Sequence, residues 1–367
     1  MMKKKTFVTI FPETSNIQLI KEVGMIPYLM SENYNYNSTI ATYDNGDYSY
    51  LKTEVKGLKI EFIKKYFSNE FLNVLIFLLK SYKRIDVIHL FHFSISKLFL
   101  IFLFKKLKKN GAKSYIKLDA NQFLKDNNYK GFKRRIVFFL MKNVDLVSAE
   151  TKELTSYLNK VNFFGKEVKY VPNGILPIEM FDDRAAKINQ LITVGRLDDD
   201  NKAVNIQIEG FRLYVVKNPD TDWVMKLIGP YNQKFADYFN ELLSNFPYLN
   251  EKIYLIGPIY HREILFNYYK ESKVFLMSSL SESFGFVYLE ALYFNCFVIS
   301  TPIPSAFEIT NYGEHGIFYE FNDSIHLSEV LTKNLVHLSC KKIDSNDYIL
   351  ENYNWNKIVS DINQNLN

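Results

Sequence analysis

Cysteine is scarce in this chain: Cys296 and Cys340 are the two among 367 residues. Neither lies in a C-x-x-C pair or at the spacing of metal ligands. A disulfide framework and a zinc site are therefore poor explanations of the fold. This cysteine usage is typical of a reducing compartment, and we expect a cytoplasmic protein.

Long hydrophobic runs are also lacking. The longest, residues 71–79, 98–104 and 136–141, fall well short of the roughly 20 residues that cross a bilayer. The basic start MMKKKTFVTIF is followed by Pro12 and Glu13, which predicts a first strand and not a signal peptide. We expect no membrane-spanning segment.

Four common catalytic signatures are missing as well. The chain contains no G-x-x-x-x-G-K-[ST], G-x-G-x-x-G, H-E-x-x-H or G-x-S-x-G. Each of these patterns supplies a specific device, such as a phosphate-cradling loop, a zinc site or a nucleophile elbow. ATPases, typical dehydrogenases, zinc proteases and serine hydrolases are therefore not the leading interpretations.

Short apolar runs alternate with longer helical patterns along the whole chain, which predicts an α/β fold. The predicted strands are 6–11, 38–42, 86–91, 114–118, 146–148, 169–171, 190–194, 223–228, 253–256, 274–277 and 297–300. Nearly continuous apolar strands with helices between them indicate parallel sheets that are buried on both faces.

The periodicity breaks at PNGILPIEMFDDRAAK, residues 172–187. We therefore predict two Rossmann-like, doubly wound domains, 1–175 and 188–345, that face a central cleft. Residues 346–367 are expected to form a C-terminal helix that packs back toward the first domain. Ligands of open α/β sheets bind beyond the carboxyl ends of the strands.

Charge is distributed unevenly between the two halves. Residues 1–180 contain 29 Lys and Arg against 16 Asp and Glu, whereas residues 181–367 contain 16 against 24. Much of the positive charge flanks apolar segments, as in SKLFLIFLFKKLKKN, which favours a surface that docks on anionic lipid. The alternative is core helices with solvated lysine ends. No nucleic-acid-binding motif accompanies the charge.

The stretch SESFGFVYLEAL, residues 281–292, places Glu282 and Glu290 on either side of a predicted helix start near Phe284 or Gly285. The free N–H groups of a helix start bind anions, and Gly285 lets a ligand approach the backbone closely. A nucleotide sugar fits this spacing. Glu282 would bind the sugar, the amides of Phe284, Gly285, Phe286 and Val287 the diphosphate, and Glu290 the ribose. The alternative is one helix-start acid and one surface acid.

A second stretch, LITVGRLDDDNKAVNI, follows the first strand of the second domain. After that strand Gly195 turns the chain, so that Arg196 and Lys202 are expected at one strand edge. Two cations there would stabilise the charge of a departing diphosphate. The alternative is a solvated loop in which Arg196 and Lys202 pair with Asp198 to Asp200. We interpret the aspartates as a helix N-cap and not as a metal site.

The segments YVPNGI (170–175), VGRL…K (194–202), LIGPIY (255–260) and SLSESFGFVYLEAL (279–292) occur in this order. Together they resemble the retaining glycosyltransferases of family 4, which have the GT-B fold. The resemblance is strong over residues 170–310. It implies a nucleotide sugar as co-substrate, with a UDP-sugar favoured, and no cofactor or metal. It also implies that Arg196 and Lys202 contact the diphosphate and that the backbone of residues 257–260, including Ile259 and Tyr260, flanks the base.

The N-terminal half departs from the family pattern in two places. The loop after the first strand, FPETSNIQLIKEVG, has no glycine before Gly24, and Asn16 is the candidate to replace the backbone contact. The family often has a histidine after the fourth strand, where SYIKLDANQF offers Asp119. Asp119 would hold a sugar hydroxyl or orient the acceptor, and the alternative is an N-cap before residues 120–123.

Three further polar residues are candidate contacts in this half. His89 and His92 lie in DVIHLFHFS, and Glu150 lies in VSAET. A core histidine and a surface N-cap region are the respective alternatives.

We expect a hexosyltransferase that acts with retention in polysaccharide biosynthesis, on a glycan or lipid-linked acceptor and peripherally on the inner membrane leaflet. The alternatives are a non-catalytic GT-B partner subunit and a glycosyltransferase with a protein acceptor. A nucleic-acid partner is not expected.

Overall fold

The protein was analysed as a computed structural model that describes residues 4–108, 111–119, 131–178 and 187–367. The chain divides into two compact units. The first unit contains Met1–Leu176 and Tyr353–Asn367, and the second contains Pro177–Asn352. The chain therefore returns to the first unit at Tyr353, and residues 346–352 belong to the second.

The strands, in chain order, are β1 (Lys5–Ile10), β2 (Tyr36–Thr42), β3 (Lys59–Phe62), β4 (Val87–Phe91), β5 (Lys113–Lys117), β6 (Leu146–Ala149), β7 (Lys169–Tyr170), β8 (Ile188–Val194), β9 (Val224–Ile228), β10 (Ile253–Gly257), β11 (Ser272–Met277), β12 (Phe297–Ser300) and β13 (Gly316–Phe318). The sequence did not predict β3 and β13. β3 is a partly exposed edge strand and β13 has three residues, so neither forms an apolar run.

The helices are α1 (Glu22–Asn33), α2 (Tyr50–Thr53), α3 (Glu70–Ser81), α4 (Ile95–Lys108), α5 (Gly131–Met141), α6 (Lys152–Lys160), α7 (Val204–Lys217), α8 (Gln233–Asn245), α9 (Arg262–Glu271), α10 (Phe286–Tyr293), α11 (Pro304–Ile309), α12 (Ser324–Cys340), α13 (Asn346–Asn352) and α14 (Trp355–Leu366).

Both sheets are parallel and Rossmann-like, as the sequence predicts. The first has the order β3-β2-β1-β4-β5-β6-β7, and the second has the order β10-β9-β8-β11-β12-β13. All strand pairs in both sheets are parallel. The order reverses between β1 and β4 in the first sheet and between β8 and β11 in the second. These reversals are the places where open α/β sheets bind ligands.

Each unit has its own apolar core. In the first unit α4 directs Leu98, Ile101 and Phe104 against the sheet, where all three are fully buried. Their spacing of three residues puts them on one helix face. In the second unit α7 and α12 pack together over β8, β9 and β11.

The C-terminal segment packs against the first unit through a strand-like bridge, a buried tryptophan and a side-chain hydrogen bond. Ile175 pairs with Asn354 in a parallel bridge, and Trp355, the first residue of α14, is buried. Asn356 of α14 accepts a hydrogen bond of 2.8 Å from Asn33 at the end of α1. A side chain at Gly174 would lie 2.6 Å from the carbonyl oxygen of Tyr353, so the two segments meet closely only because residue 174 is glycine.

Candidate active site

The loops that follow β8 and β11 meet at the reversal of the second sheet. Asn201 and Ser281 exchange side-chain hydrogen bonds, with Asn201 Nδ2 donating to the Ser281 carbonyl (2.8 Å) and Ser281 Oγ donating to Asn201 Oδ1 (3.0 Å). The Leu280 amide donates to the Asn201 carbonyl at 2.8 Å. Ser278 Oγ donates to the carbonyl of Ala203 and accepts from Gln207. The two loops therefore form one hydrogen-bonded surface.

A close backbone approach turns the chain at the end of β8. The Gly195 amide donates to the Ile228 carbonyl at 3.0 Å. A Cβ atom at Gly229 would lie 1.7 Å from the Gly195 carbonyl oxygen. Because no side chain fits at residue 229, Gly229 lets the chain pass close to it at Gly195, immediately before Arg196.

Lys202 and Glu282 form an ion pair between Lys202 Nζ and Glu282 Oε1. Their side chains are only 18% and 15% exposed. Ser279 Oγ also donates to Glu282 Oε1, at 2.7 Å. The sequence singled out both charged residues but assigned them to different parts of a ligand. Their direct pairing depends on the adjacency of β8 and β11, whose residues are about 80 positions apart along the chain.

Arg196 extends outward from the same edge. Its side chain is 69% exposed, and its Nε lies 3.8 Å from Asp198 Oδ1. Asp199 accepts a hydrogen bond from the Asn201 amide and caps the 3₁₀ turn Asp200–Lys202. The predicted N-cap role of the aspartates thus applies to this short turn, while Ala203, with φ of 45°, precedes α7.

α10 begins at Phe286, just after the predicted start near Phe284 or Gly285, and Gly285 is its N-cap. Gly285 has φ of +85°, and a side chain there would lie 2.6 Å from the Tyr288 ring. Phe284 is buried, whereas Phe286 and Val287 are half-buried. The start of α10 therefore presents backbone amides and the positive end of a helix dipole beside Glu282.

Glu290 lies one turn further along α10. Tyr269 donates its hydroxyl to Glu290 Oε2 at 3.2 Å, and Arg262 Nη2 lies 3.7 Å from Glu290 Oε1. Burial, with the Glu290 carboxylate beside it, holds the pKa of Tyr269 well above its usual value, so this hydroxyl remains a donor. Sequence reasoning missed Arg262, although it stands two residues after the LIGPIY segment.

The loop after β10 carries the remaining predicted donor contacts. Gly257 has φ of +82°, and a side chain there would touch the Tyr231 ring at 3.6 Å. Ile259 is half-buried and Tyr260 is exposed. Since β10 is the edge strand of the second sheet, this loop is separated from the loop after β8 by β9.

In the first unit, His92 and Asp119 come together at the carboxyl ends of β4 and β5. His92 Nδ1 lies 3.9 Å from Asp119 Oδ2, and both residues have positive φ, 59° and 39°. The His92 amide donates to the carbonyl of Lys117 at 2.9 Å. The alternative interpretation of Asp119, an N-cap for residues 120–123, concerns residues outside those described.

His89 lies inside β4 and not at its end. It is fully buried, stacks on Tyr115 at 4.4 Å, and its Nδ1 is 3.1 Å from Thr9 Oγ1. Burial, together with the nearby Lys117 ammonium, holds the pKa of His89 well below its usual value, so the ring is neutral. The structure therefore places His89 as a core histidine, which was its alternative interpretation.

Glu150 is also buried, immediately after β6. It interacts electrostatically with Lys117, a fully buried lysine whose Nζ donates to the Val171 carbonyl at 2.6 Å. Burial lowers the pKa of Lys117, while Glu150, Glu22 and Asp119 oppose that change. The surface N-cap interpretation of Glu150 is wrong, because Thr151 is the N-cap of α6 and Glu150 is buried.

Asn16 lies in the loop after β1, and its side chain makes two hydrogen bonds. Its Nδ2 donates to Ser49 Oγ (3.0 Å), and its Oδ1 accepts from the Tyr50 amide (2.9 Å). Both polar atoms of the side chain thus join this loop to the start of α2.

Two of the lysines that follow the α4 apolar run are engaged in ion pairs. Lys105 pairs with Asp145, and Lys108 pairs with Asp86 at 2.6 Å. Lys109 lies outside the described residues. Leu100, expected at a lipid surface, is buried in the core.

No helix within the described ranges is long and apolar enough to cross a membrane. The same ranges contain no group of three or more His, Cys, Asp or Glu side chains that could hold a metal ion.

The chain has the GT-B fold, in which two Rossmann-like units each contain a parallel sheet. Residues 188–335 match the family model described as Glycosyl transferases group 1. This match covers most of the second unit, including Arg196, Lys202, Glu282 and Glu290. Over residues 188–335, the resemblance seen in the sequence is therefore confirmed as a match to the group 1 model.

Three proteins illustrate the similarity. An uncharacterised 41.2 kDa protein in the cps region of Klebsiella pneumoniae is 24% identical over 290 residues, which are 73% of this chain and 76% of that protein. The structure of Anabaena Alr3699/HepE in complex with UDP and glucose has a TM-score of 0.70 at 13% identity and covers 99% of both chains. The pneumococcal O-GlcNAc transferase GtfA in complex with UDP and GlcNAc has a TM-score of 0.73 at 11% identity, covering 100% of this chain and 99% of that one.

Proposed function

We propose that this protein transfers a hexose, with retention, from a UDP-sugar to a hydroxyl group of a glycan acceptor. One observation carries the proposal: Arg196, the Lys202–Glu282 pair and the start of α10 share one edge of the second sheet, at its reversal. A cationic edge beside a carboxylate matches a diphosphate joined to a sugar. The UDP complexes of the two similar structures support the choice of donor.

Each group has a part in this scheme. The α10 amides, Arg196 and Lys202 bind the diphosphate and stabilise the negative charge that grows on it as it leaves. Glu282 accepts hydrogen bonds from the sugar hydroxyls. Lys202 can serve both partners because an ammonium group has three donors. Glu290 binds the ribose and is held in place by Tyr269 and Arg262.

The reaction itself needs no carboxylate nucleophile. The acceptor oxygen forms a bond to the anomeric carbon on the face from which the diphosphate departs, and the bond from that carbon to the phosphate oxygen breaks. The acceptor proton passes to the leaving diphosphate. Asp119, beside His92, is proposed to bind an acceptor hydroxyl. We propose that fixed cations take the place of a metal ion.

The acceptor is proposed to be lipid-linked and to belong to surface polysaccharide assembly at the cytoplasmic face of the membrane. The name of the similar Klebsiella protein, which lies in a cps region, and the excess positive charge of residues 1–180 support this assignment. The rival function is a non-catalytic partner subunit, favoured by Asp119 in place of the family histidine.

The test is direct. The purified chain is first screened for thermal stabilisation by a panel of nucleotide sugars, and the stabilising donor is then assayed for release of the nucleoside diphosphate with an acceptor extract. Turnover that produces the α-linked product from an α-linked donor supports retaining transfer. If the chain binds a donor but shows no turnover with any acceptor tested, the partner-subunit function is favoured.

A further inference from the structure

Two adjoining cavities lie in the first unit. The smaller, about 370 Å³, is bounded by Ile10 and Leu90 near the carboxyl ends of β1 and β4. The larger, about 670 Å³, runs along α4 and α5. Phe71 and Ser96 line both cavities, so the two are neighbours. Each is within the usual size range of small-molecule sites.

The smaller cavity is polar at one end and lies at the reversal of the first sheet. Lys97 reaches into it from α4, and its Nζ donates to the Phe91 carbonyl at the end of β4, at 2.8 Å. Burial lowers the pKa of Lys97, while Glu70 and Glu13 oppose that change. Glu70 also lines this cavity. The Phe91 carbonyl occupies only one of the three ammonium donors of Lys97, so Lys97 can still bind an anionic group here.

The larger cavity is an apolar groove with an aromatic row along its length. Ring centroids are 6.3 Å apart between Phe71 and Phe99, 6.2 Å between Phe99 and Phe102, and 5.8 Å between Phe102 and Phe139. Phe139 is 57% exposed, and Phe132, at the same groove, is 76% exposed. Contiguous exposed apolar surface of this kind marks an interaction site more often than chance.

The charges around the groove are positive. Arg135 lines it, and Lys106 Nζ lies 5.7 Å from the centre of the Phe102 ring. Lys133 and Arg134 are exposed on the same helix as Phe132 and Phe139. Among the described residues that line the groove, none is acidic. The groove thus joins an apolar floor to a cationic rim.

We propose that these two cavities bind a single amphiphile, with its anionic headgroup at Lys97 and its hydrocarbon chain along the Phe71–Phe99–Phe102–Phe139 row. The occupant is the lipid of the lipid-linked acceptor, and in this respect the inference rests on the proposed function. One molecule with a charged head and an apolar tail fills both cavities at once. A bilayer surface or a second copy of the chain would cover the row and leave the Lys97 cavity empty.

The probe for this site is farnesyl phosphate below its micellar concentration, with farnesol and inorganic phosphate as comparison ligands. Calorimetric titration of the full chain should show saturable binding of farnesyl phosphate, binding of farnesol weaker by about tenfold, and no measurable binding of inorganic phosphate. Lys97→Gln should abolish the preference for the phosphate and leave the affinity for farnesol unchanged.

The chain offers a matched control for the groove. Phe139→Asp should weaken farnesyl phosphate binding by at least about tenfold, because a carboxylate faces both the chain and its anionic head. Phe62→Asp changes a residue of similar exposure, 54%, in the same unit but outside the groove, and should leave binding unchanged. If Phe139→Asp fails to fold by circular dichroism, Phe132→Ser replaces it.

Three results would overturn the inference: no saturable binding to the wild type, equal loss in the Phe139 and Phe62 variants, or binding to vesicles without binding to monomeric farnesyl phosphate. UDP-sugar binding is measured on the same preparations. Intact donor binding without lipid binding rejects this inference alone, whereas absent donor binding rejects the proposed function.

Discussion

Lys202 Nζ and Glu282 Oε1 form an ion pair that joins the loops after β8 and β11. The pair is mostly shielded from water, so each charge depends on the other in the ligand-free chain. In the proposed function both charges also contact the donor. Changes at these two positions should therefore affect stability as well as turnover, whereas Arg196, which is mostly exposed, should affect turnover alone.

Arg196→Ala is expected to lower kcat by about 10²–10³-fold, because the departing diphosphate loses a fixed cation. Its free energy of unfolding should stay within about 0.5 kcal/mol of the wild type, as for other exposed substitutions. Steady-state kinetics and urea unfolding check the two expectations. A wild-type rate would remove Arg196 from the catalytic scheme.

Lys202→Met should lower kcat by a similar factor and also destabilise the fold by about 1–3 kcal/mol, since Glu282 would keep a poorly solvated charge. Adding Glu282→Gln should recover most of the stability but none of the turnover. Lys169→Met, which breaks the exposed pair with Glu167, is the control and should change neither quantity. Recovery of turnover in the double variant would contradict the assignment.

Gly285→Ala is expected to unfold the start of α10 and to abolish donor binding. The new methyl group would meet the Tyr288 ring at 2.6 Å, in addition to the strain of φ at +85°. Gly57 has a similar φ, +88°, with nothing within 4 Å, so Gly57→Ala carries the backbone strain of about 1–2 kcal/mol alone. Thermal unfolding and UDP titration of both variants separate the clash from the strain. Equal effects would mean that the close contact at Gly285 is unimportant.

Donor turnover should persist in excess EDTA, because Arg196, Lys202 and the α10 amides provide the positive charge that a metal ion would otherwise provide. The measurement is release of the nucleoside diphosphate before and after chelation. Loss of activity that Mg²⁺ or Mn²⁺ restores would show that a metal ion is required.

Glu22→Gln should change how stability depends on pH. Burial and the nearby Asp119 carboxylate raise the pKa of Glu22 to about 7, with Lys117 and Lys21 acting in the opposite direction. Below the unfolded pKa, near 4.5, Glu22 is protonated in both states, and the raised pKa contributes nothing. As pH rises toward 7, the unfolded chain releases this proton first, so the wild type loses stability.

Urea unfolding should therefore show no pH-dependent difference between wild type and Glu22→Gln below the unfolded pKa, near 4.5. Above it, the variant should gain a growing advantage in stability up to about pH 8. This advantage should be on the order of 1–3 kcal/mol. Glu32→Gln, at an exposed position of the same helix, should show no such trend. A variant that is less stable than the wild type at pH 8 would contradict the buried carboxylate as its cause.

Binding to anionic liposomes should occur at low salt and weaken as salt is added, because exposed charges are screened beyond about 8 Å at physiological ionic strength. The structure selects Lys106, Lys133 and Arg135 for charge reversal, since Lys105 and Lys108 are held by Asp145 and Asp86. Each cation near an anionic surface contributes about 1 kcal/mol, so the triple Glu variant should lose sedimentation with the liposomes.

Reversal of three exposed lysines in the second unit, Lys217, Lys234 and Lys333, makes an equal change in net charge and should leave sedimentation intact. Neutral liposomes provide the second control. If the wild type does not sediment with anionic liposomes at low salt, the acceptor is not presented on such a membrane.

Local pattern was enough to predict most strands, the two parallel sheets and the stretch around α10. Apolar runs such as those of β8 and β11 determine which segments are buried. Gly285, between a serine-rich loop and an apolar helix, indicates where α10 begins. These properties depend on neighbours within a few residues. The short β13 and the partly exposed β3 escaped prediction because they lack that pattern.

The partners of the charged residues depended on tertiary structure. Lys202 meets Glu282 because β8 and β11, which are distant in sequence, lie beside one another in the sheet. Arg262 meets Glu290 because α9 packs against β8 and β11. Burial also depended on tertiary structure. The sequence shows His89 and Glu150 as ordinary polar residues near strand ends, yet the packing of neighbouring elements buries both. The sequence by itself determined where most of the strands and the start of α10 lie, since that choice is local. The order of the strands decided which side chains meet and which charges leave water, because both depend on contacts between remote parts of the chain.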